Sequence, residues 1–189
     1  MKNIILTSLA VFALFSAALL TGCNDDPCKI ISCANSGTCV DGTCKCPLGY
    51  EGIHCETVMR DKFIKDGGIW NVNEDGTLSP ITQYAASMEA GDKVNQVKIY
   101  NVQNNIPFNK TPVIGTVKND TITIPLQTIT SVDGTAKIEG WGFIKGTNPL
   151  DQHYYQHATV KFYYVITNSI GQVNKYGYPD EGVPSIWSK

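Results

Sequence analysis

The 189-residue chain has no cysteine beyond Cys55, and nowhere does it gather lysines and arginines into a cluster. From residue 57 onward, 12 basic and 12 acidic side chains are scattered thinly. Holding nucleic acid by its phosphates requires a concentrated basic face, so nucleic acid is excluded as a partner. No stretch after Ile64 repeats apolar residues at helical spacing, which argues against a helical bundle. The long apolar run, Ile4 to Leu20, is broken by Thr7, Ser8 and Ser16. It falls short of the roughly 20 residues of a spanning helix. Gly-x-Ser-x-Gly is missing, and with it the usual serine-nucleophile turn. His153 and His157 stand four apart, but no Glu follows His153 and the segment runs into a strand. In extended chain, residues four apart lie roughly 13 Å from each other and cannot share a metal. The carboxylates, Glu74 among them, are dispersed, and the sequence selects no acid/base pair. The expectation is a protein without catalytic residues and without a metal.

What is present is concentrated at the N-terminus: all seven cysteines lie between residues 23 and 55. Residues 1 to 22 begin with a positive charge at Lys2, continue through the apolar run and end in small residues, the pattern of a signal peptide. Leu20-Thr21-Gly22-Cys23 resembles the bacterial lipobox. That resemblance implies cleavage before Cys23, a diacylglyceryl group and an N-acyl chain on Cys23, and no other cofactor. Each buried methylene contributes about 0.8 kcal/mol, so two or three chains anchor a protein to a membrane essentially for good. Residues 23–27 form a short lipidated tether. Within it, Asn24-Asp25-Asp26 loosely resembles the acidic signal that sends some Gram-negative lipoproteins outward. The implied location is the outer membrane, at the cell surface, where disulfides persist.

The six remaining cysteines are spaced C-x4-C-x5-C-x4-C-x-C-x8-C. With Gly49-Tyr50 and Gly52 inside "CKCPLGYEGIHC", residues 28–56 resemble an epidermal growth factor (EGF)-like module. Spacing alone allows 15 connectivities for six cysteines. The resemblance implies Cys28–Cys39, Cys33–Cys44 and Cys46–Cys55. So short a segment cannot bury enough apolar surface to fold unaided, and each bridge adds typically about 2–4 kcal/mol. The calcium-binding variant of the module has Glu or Gln beside its first Cys, where this chain has Pro27, so calcium is not expected.

Residues 57–189 alternate at period two between turn signals, and eight strands are expected: 69–74, 82–89, 94–102, 112–118, 121–130, 136–145, 158–168 and 172–178. Short links at Asn119-Asp120, Asp133-Gly134 and Ser169-Ile170-Gly171 imply an antiparallel meander. Eight such strands can close and abolish their edges. Ile122, Ile124 and Leu126 share one face, and Pro125 must sit at a bulge or away from a ladder N–H. Gly68-Ile69-Trp70, at the start of the first strand, resembles the Gly-x-Trp of lipocalins and related calycins, whose Trp closes the barrel base. The fold class is therefore all-β: a disulfide-rich module (28–56) and an up-and-down calycin-like barrel (57–189), with an open β-sandwich as the alternative.

Trp70, Met88, Phe162 and Tyr164 fall on the inward parity and are the candidates for a barrel interior or ligand site. Their bulk favours a packed core over a cavity. Trp141, Phe143, Tyr154, Tyr155 and Tyr163 fall on the other parity or in loops and are candidate surface aromatics. Asp120-Thr121-Ile122 resembles a short bacterial O-glycosylation motif, with Thr121 as acceptor. The whole arrangement resembles bacterial surface lipoproteins. The leading expectation is a membrane-anchored interaction protein for a protein or glycan partner. A lipocalin-like carrier of a small apolar ligand comes second, and an anchored hydrolase third.

Overall fold

The computed structural model describes residues 26–104, 111–131, 134–145 and 158–189. It opens with two small hairpins. β1 (Thr38–Val40) pairs with β2 (Thr43–Lys45) around Asp41-Gly42, both at positive φ, the geometry that a two-residue hairpin turn demands. β3 (Tyr50–Glu51) pairs with β4 (Thr57–Val58), so the pairing of this module runs two residues past Glu56. Disulfides join Cys28 to Cys39, Cys33 to Cys44 and Cys46 to Cys55.

A one-turn helix, α1 (Asp61–Ile64), and a 3-10 turn (Asp66–Gly68) lead into the barrel. Its strands are β5 (Ile69–Glu74), β6 (Thr82–Ala90), β7 (Gln96–Tyr100), β8 (Val113–Lys118), β9 (Thr121–Ser131), β10 (Gly134–Lys145), β11 (Thr159–Asn168), β12 (Val173–Tyr176) and β13 (Ser185–Ser188). Every ladder is antiparallel. β5 to β11 pair in sequence, and β13 then pairs with both β11 and β5, closing eight strands into a barrel. Closure rules out the open sandwich.

The eighth barrel position departs from the expected strand at 172–178. β12 covers only the second half of β11, through Val165↔Lys175 to Thr167↔Val173. The chain then leaves the sheet, and β13 returns to cover the first half, Thr159↔Ser188 to Phe162↔Ser185. One position is thus built from two pieces, and the piece that closes onto β5 is β13. Gly177, Tyr178-Pro179 and Pro184 supply the punctuation between them.

A second departure lies in β9. Ile122 and Ile124 are buried, but Leu126 is 63% exposed, and Ile129 is buried instead. Between Gly140↔Ile124 and Ile138↔Gln127, two residues of β9, Pro125 and Leu126, face the single residue Glu139. This is a β-bulge, and it reverses the inward parity for the rest of the strand.

The core fills the barrel. Trp70, Met88, Phe162 and Tyr164 are all buried, with Trp187, Tyr176, Val97, Ile99, Ile122 and Ile138 among them. Two glycines make room. A Cβ on Gly142 would collide with the Phe162 ring, and one on Gly68, at φ +65°, with the Met88 carbonyl. At the base, Trp70 Nε1 donates to the Phe63 carbonyl of α1 at 3.0 Å, and the Lys189 ammonium sits 4.9 Å from the Trp70 ring centroid.

Candidate functional site

Three features carry chemistry: the interior, the seam between module and barrel, and the outer wall. In the interior, β5 alternates Trp70, Val72 and Glu74 inward. Glu74 is only 3% exposed. Its carboxyl accepts 2.8 Å hydrogen bonds from Tyr84, Tyr164 and Ser185, three hydroxyls from three strands. Trp187 Nε1 in turn donates to Ser185 Oγ at 2.9 Å. Burial pushes the Glu74 pKa above the usual carboxylate range, and the three hydrogen bonds oppose that without cancelling it. Burial likewise pushes the Tyr84 and Tyr164 phenols up, with the Glu74 charge adding to it. Both stay protonated and serve as donors. Around Ile99, Ile124, Phe162, Tyr164 and Trp187 the remaining free volume is about 10 Å³. The barrel centre is filled by its own side chains.

At the seam, Lys62 of α1 is nearly buried yet charged. Its ammonium pairs with Glu51 of the module at 2.8 Å and with Asp120, in the turn between β8 and β9, at 2.6 Å. Burial pulls the Lys62 pKa down, but the hydrogen bonds that its ammonium donates to Asp120 and Glu51 outweigh it and leave the pKa above its ordinary value. Arg60 Nη1 donates to the carbonyls of Gly91 and Lys93, at 2.9 and 2.6 Å, in the turn between β6 and β7. Met59 N donates to the Gly49 carbonyl, and Asn119 N contacts Met59 Sδ at 3.3 Å. Module and barrel are therefore held together by α1 and the residues just before it.

On the outer wall, Trp141 of β10 and Tyr163 of β11 are direct cross-strand partners. Their rings stack with centroids 4.4 Å apart and planes 9° apart. Phe143 joins them, 5.8 Å from Trp141 and 6.1 Å from Tyr163. Lys145 Nζ lies 5.0 Å from the Phe143 ring centroid. Trp141 keeps 37% of its surface exposed. Thr121, the candidate glycosylation acceptor, is half-buried at the start of β9, next to Asp120. The lipidation candidate Cys23, the loop aromatics Tyr154 and Tyr155, and His153 and His157 lie outside the described residues. Among the described residues, no group of three or more His, Cys, Asp or Glu is placed to hold a metal.

Sequence reasoning brought Trp141, Phe143 and Tyr163 to one face by parity. It missed Glu74 as a buried anchor, although the alternation of "IWNVNE" puts residue 74 on the same face as Trp70. Ser185 and Trp187 were missed because "SIWS" is too short to read as a strand.

Comparison with known proteins reaches part of the chain. Epidermal growth factor from Lymnaea stagnalis is 33% identical over 60 residues, 30% of this chain and 94% of that protein. The inactive serine protease PAMR1 of Xenopus tropicalis is 43% identical over 54 residues, 26% of this chain but only 7% of that protein's length. No protein-family profile matches, and no solved structure matches.

Proposed function

We propose that this chain, which belongs to the epidermal growth factor family through its disulfide module, is a lipid-anchored surface protein whose barrel wall docks a protein partner. The observation that carries this reading is the aromatic stack of Trp141, Phe143 and Tyr163. Aromatic side chains held rigid by their neighbours lose little entropy on contact, and Trp and Tyr dominate binding hot spots. Trp141 and Tyr163 each cover one face of the other's ring. That suits a protein surface better than a sugar ring, which needs a free aromatic face. Lys137 and Lys145 flank the stack along β10 and Lys161 stands opposite Phe143, with Glu139 on β10 beside them. The partner's contact surface is therefore apolar at its centre and acidic at its rim. The filled interior favours docking over carriage of an apolar ligand, and no catalytic role is assigned.

In this reading Cys23 carries the lipid, the tether holds the module near an outer membrane, and the seam fixes the barrel above it. A photo-crosslinking phenylalanine analogue at position 143 should capture one protein. That protein, once purified, should bind the full chain, and Trp141→Ala should weaken binding about tenfold or more. Equal binding by Trp141→Ala rejects the wall as the docking face, and a glycan-array signal without protein capture transfers the wall to a sugar. For the anchor, Cys23→Ala should lose metabolic lipid label, and a variant that stays labelled refutes the assignment.

A further inference from the structure

The barrel's two ends differ. The base carries α1, the seam and Lys189. The opposite end opens into a cup of about 400 Å³, within the range of small-molecule sites. Ser79, Gln103, Asn104, Asn168, Gln172 and Asn174 form its wall, and Leu78, Ala136 and Ile166 give it an apolar patch. Among the described residues, no Asp, Glu, Lys, Arg or His lines it.

The wall is held in place before any ligand arrives. Asn174, buried, accepts from Leu78 N at 2.9 Å and donates to Ser79 Oγ at 3.1 Å and to the Tyr176 hydroxyl at 2.9 Å. Gln103 Nε2 donates to the same hydroxyl at 2.9 Å, and Gln103 N donates to the Tyr84 hydroxyl at 2.6 Å. Asn168 Nδ2 donates to Gln172 Oε1 at 2.9 Å. The loop that carries Ser79 approaches β12 closely at Gly76, where any Cβ would collide with Asn174, Ser79 and Tyr176.

We propose that this cup binds a neutral polyhydroxylated ligand, a mono- or disaccharide. Among the described residues, the wall's own hydrogen bonds leave Asn104 Nδ2, Gln172 Nε2 and Gln103 Oε1 unengaged, donors and an acceptor that match hydroxyls able to give and take hydrogen bonds. Ile166 and Ala136 match the C–H face of a sugar ring. A charged ligand would find no counter-charge among the described lining residues. An apolar one would cover those unengaged groups without pairing them, at about 1–3 kcal/mol each. The site is separate from the aromatic wall and does not depend on the docking partner.

The test is saturation-transfer NMR on the full chain in detergent, with glucose, galactose, N-acetylglucosamine and maltose, and with sialyllactose and palmitate as charged and apolar comparators. At least one neutral sugar should show transfer at about 10 mM, typical of weak sites. Asn104→Ala/Gln172→Ala, both exposed positions, should keep the wild-type melting midpoint and lose affinity about tenfold. Trp141→Ala should leave sugar binding unchanged. Silence from every neutral sugar overturns the proposal. So do transfer that survives the double substitution, loss confined to Trp141→Ala, and a stronger signal from palmitate.

Discussion

Inside the barrel, a carboxyl group answers to three hydroxyls and, among the described residues, to no cation. Its burial raises the Glu74 pKa in the folded state above the ordinary glutamate range of the unfolded chain. The folded state therefore holds the proton more tightly. The contribution is fully present below the unfolded pKa and is lost as pH rises through the folded one. Glu74→Gln should flatten this dependence: in urea titrations from acid to neutral pH, wild type should lose stability with rising pH more steeply than the variant. Parallel slopes would place the titration elsewhere. Glu74→Ala leaves three buried hydroxyls without their acceptor and should cost about 3 kcal/mol. The sequence showed the inward parity of residue 74 but not its partners. Tyr164 and Ser185 lie 90 and 111 residues away, and only barrel closure brings them in.

At the scale of strands, period-two alternation was legible wherever a strand ran unbroken. In β11, Val160, Phe162, Tyr164 and Ile166 all point inward. It failed where the backbone changed step. Pro125 lacks the N–H that a ladder needs, so the strand bulges there and every later side chain changes face. The consequence is measurable. Ile129→Ala should cost about 2–5 kcal/mol, while Leu126→Ala should stay within about 0.5 kcal/mol. The reverse order in chemical denaturation would mean that alternation continues through Pro125. The divided eighth position was only half legible, for a different reason. β12 falls inside the expected strand at 172–178, but the four residues of β13 carry too short a pattern to register, and a turn-rich loop separates the two.

Across the whole molecule, one ammonium ties two units together. Lys62 is nearly buried, whereas Asp120 and Glu51 keep 62% and 28% of their side-chain surface exposed. Solvent can take up the two acids once the lysine is gone, so the loss should be smaller than for a fully buried pair. Lys62→Met should cost about 1–2 kcal/mol. Amide hydrogen exchange should rise at β3, β4 and the Asn119-Asp120 turn, and stay unchanged in β10 and β11. Uniform protection would assign the seam to Arg60 and Met59 alone. The disulfide pairing was implied by the EGF-like resemblance and the barrel class by strand alternation, but this seam was not readable. It joins residues 11 and 58 positions apart in a segment with no repeating pattern.

The ring's last seam also imposes an order in time. β5 and β11 each wait for β13, which follows every other strand. A chain emerging from its N-terminus can set its disulfides and zip the meander from β5 to β11 while both outer strands still lack a neighbour. Until Ser185–Ser188 arrives, those bare edges are sticky templates for foreign strands. Glu74 also lacks one of its three donors until then. Proteolytic clipping ahead of Ser185 would therefore do more than shorten the protein. It would return the barrel to a half-zipped, aggregation-prone state, making β13 the point at which quality control can tell closed barrels from open ones.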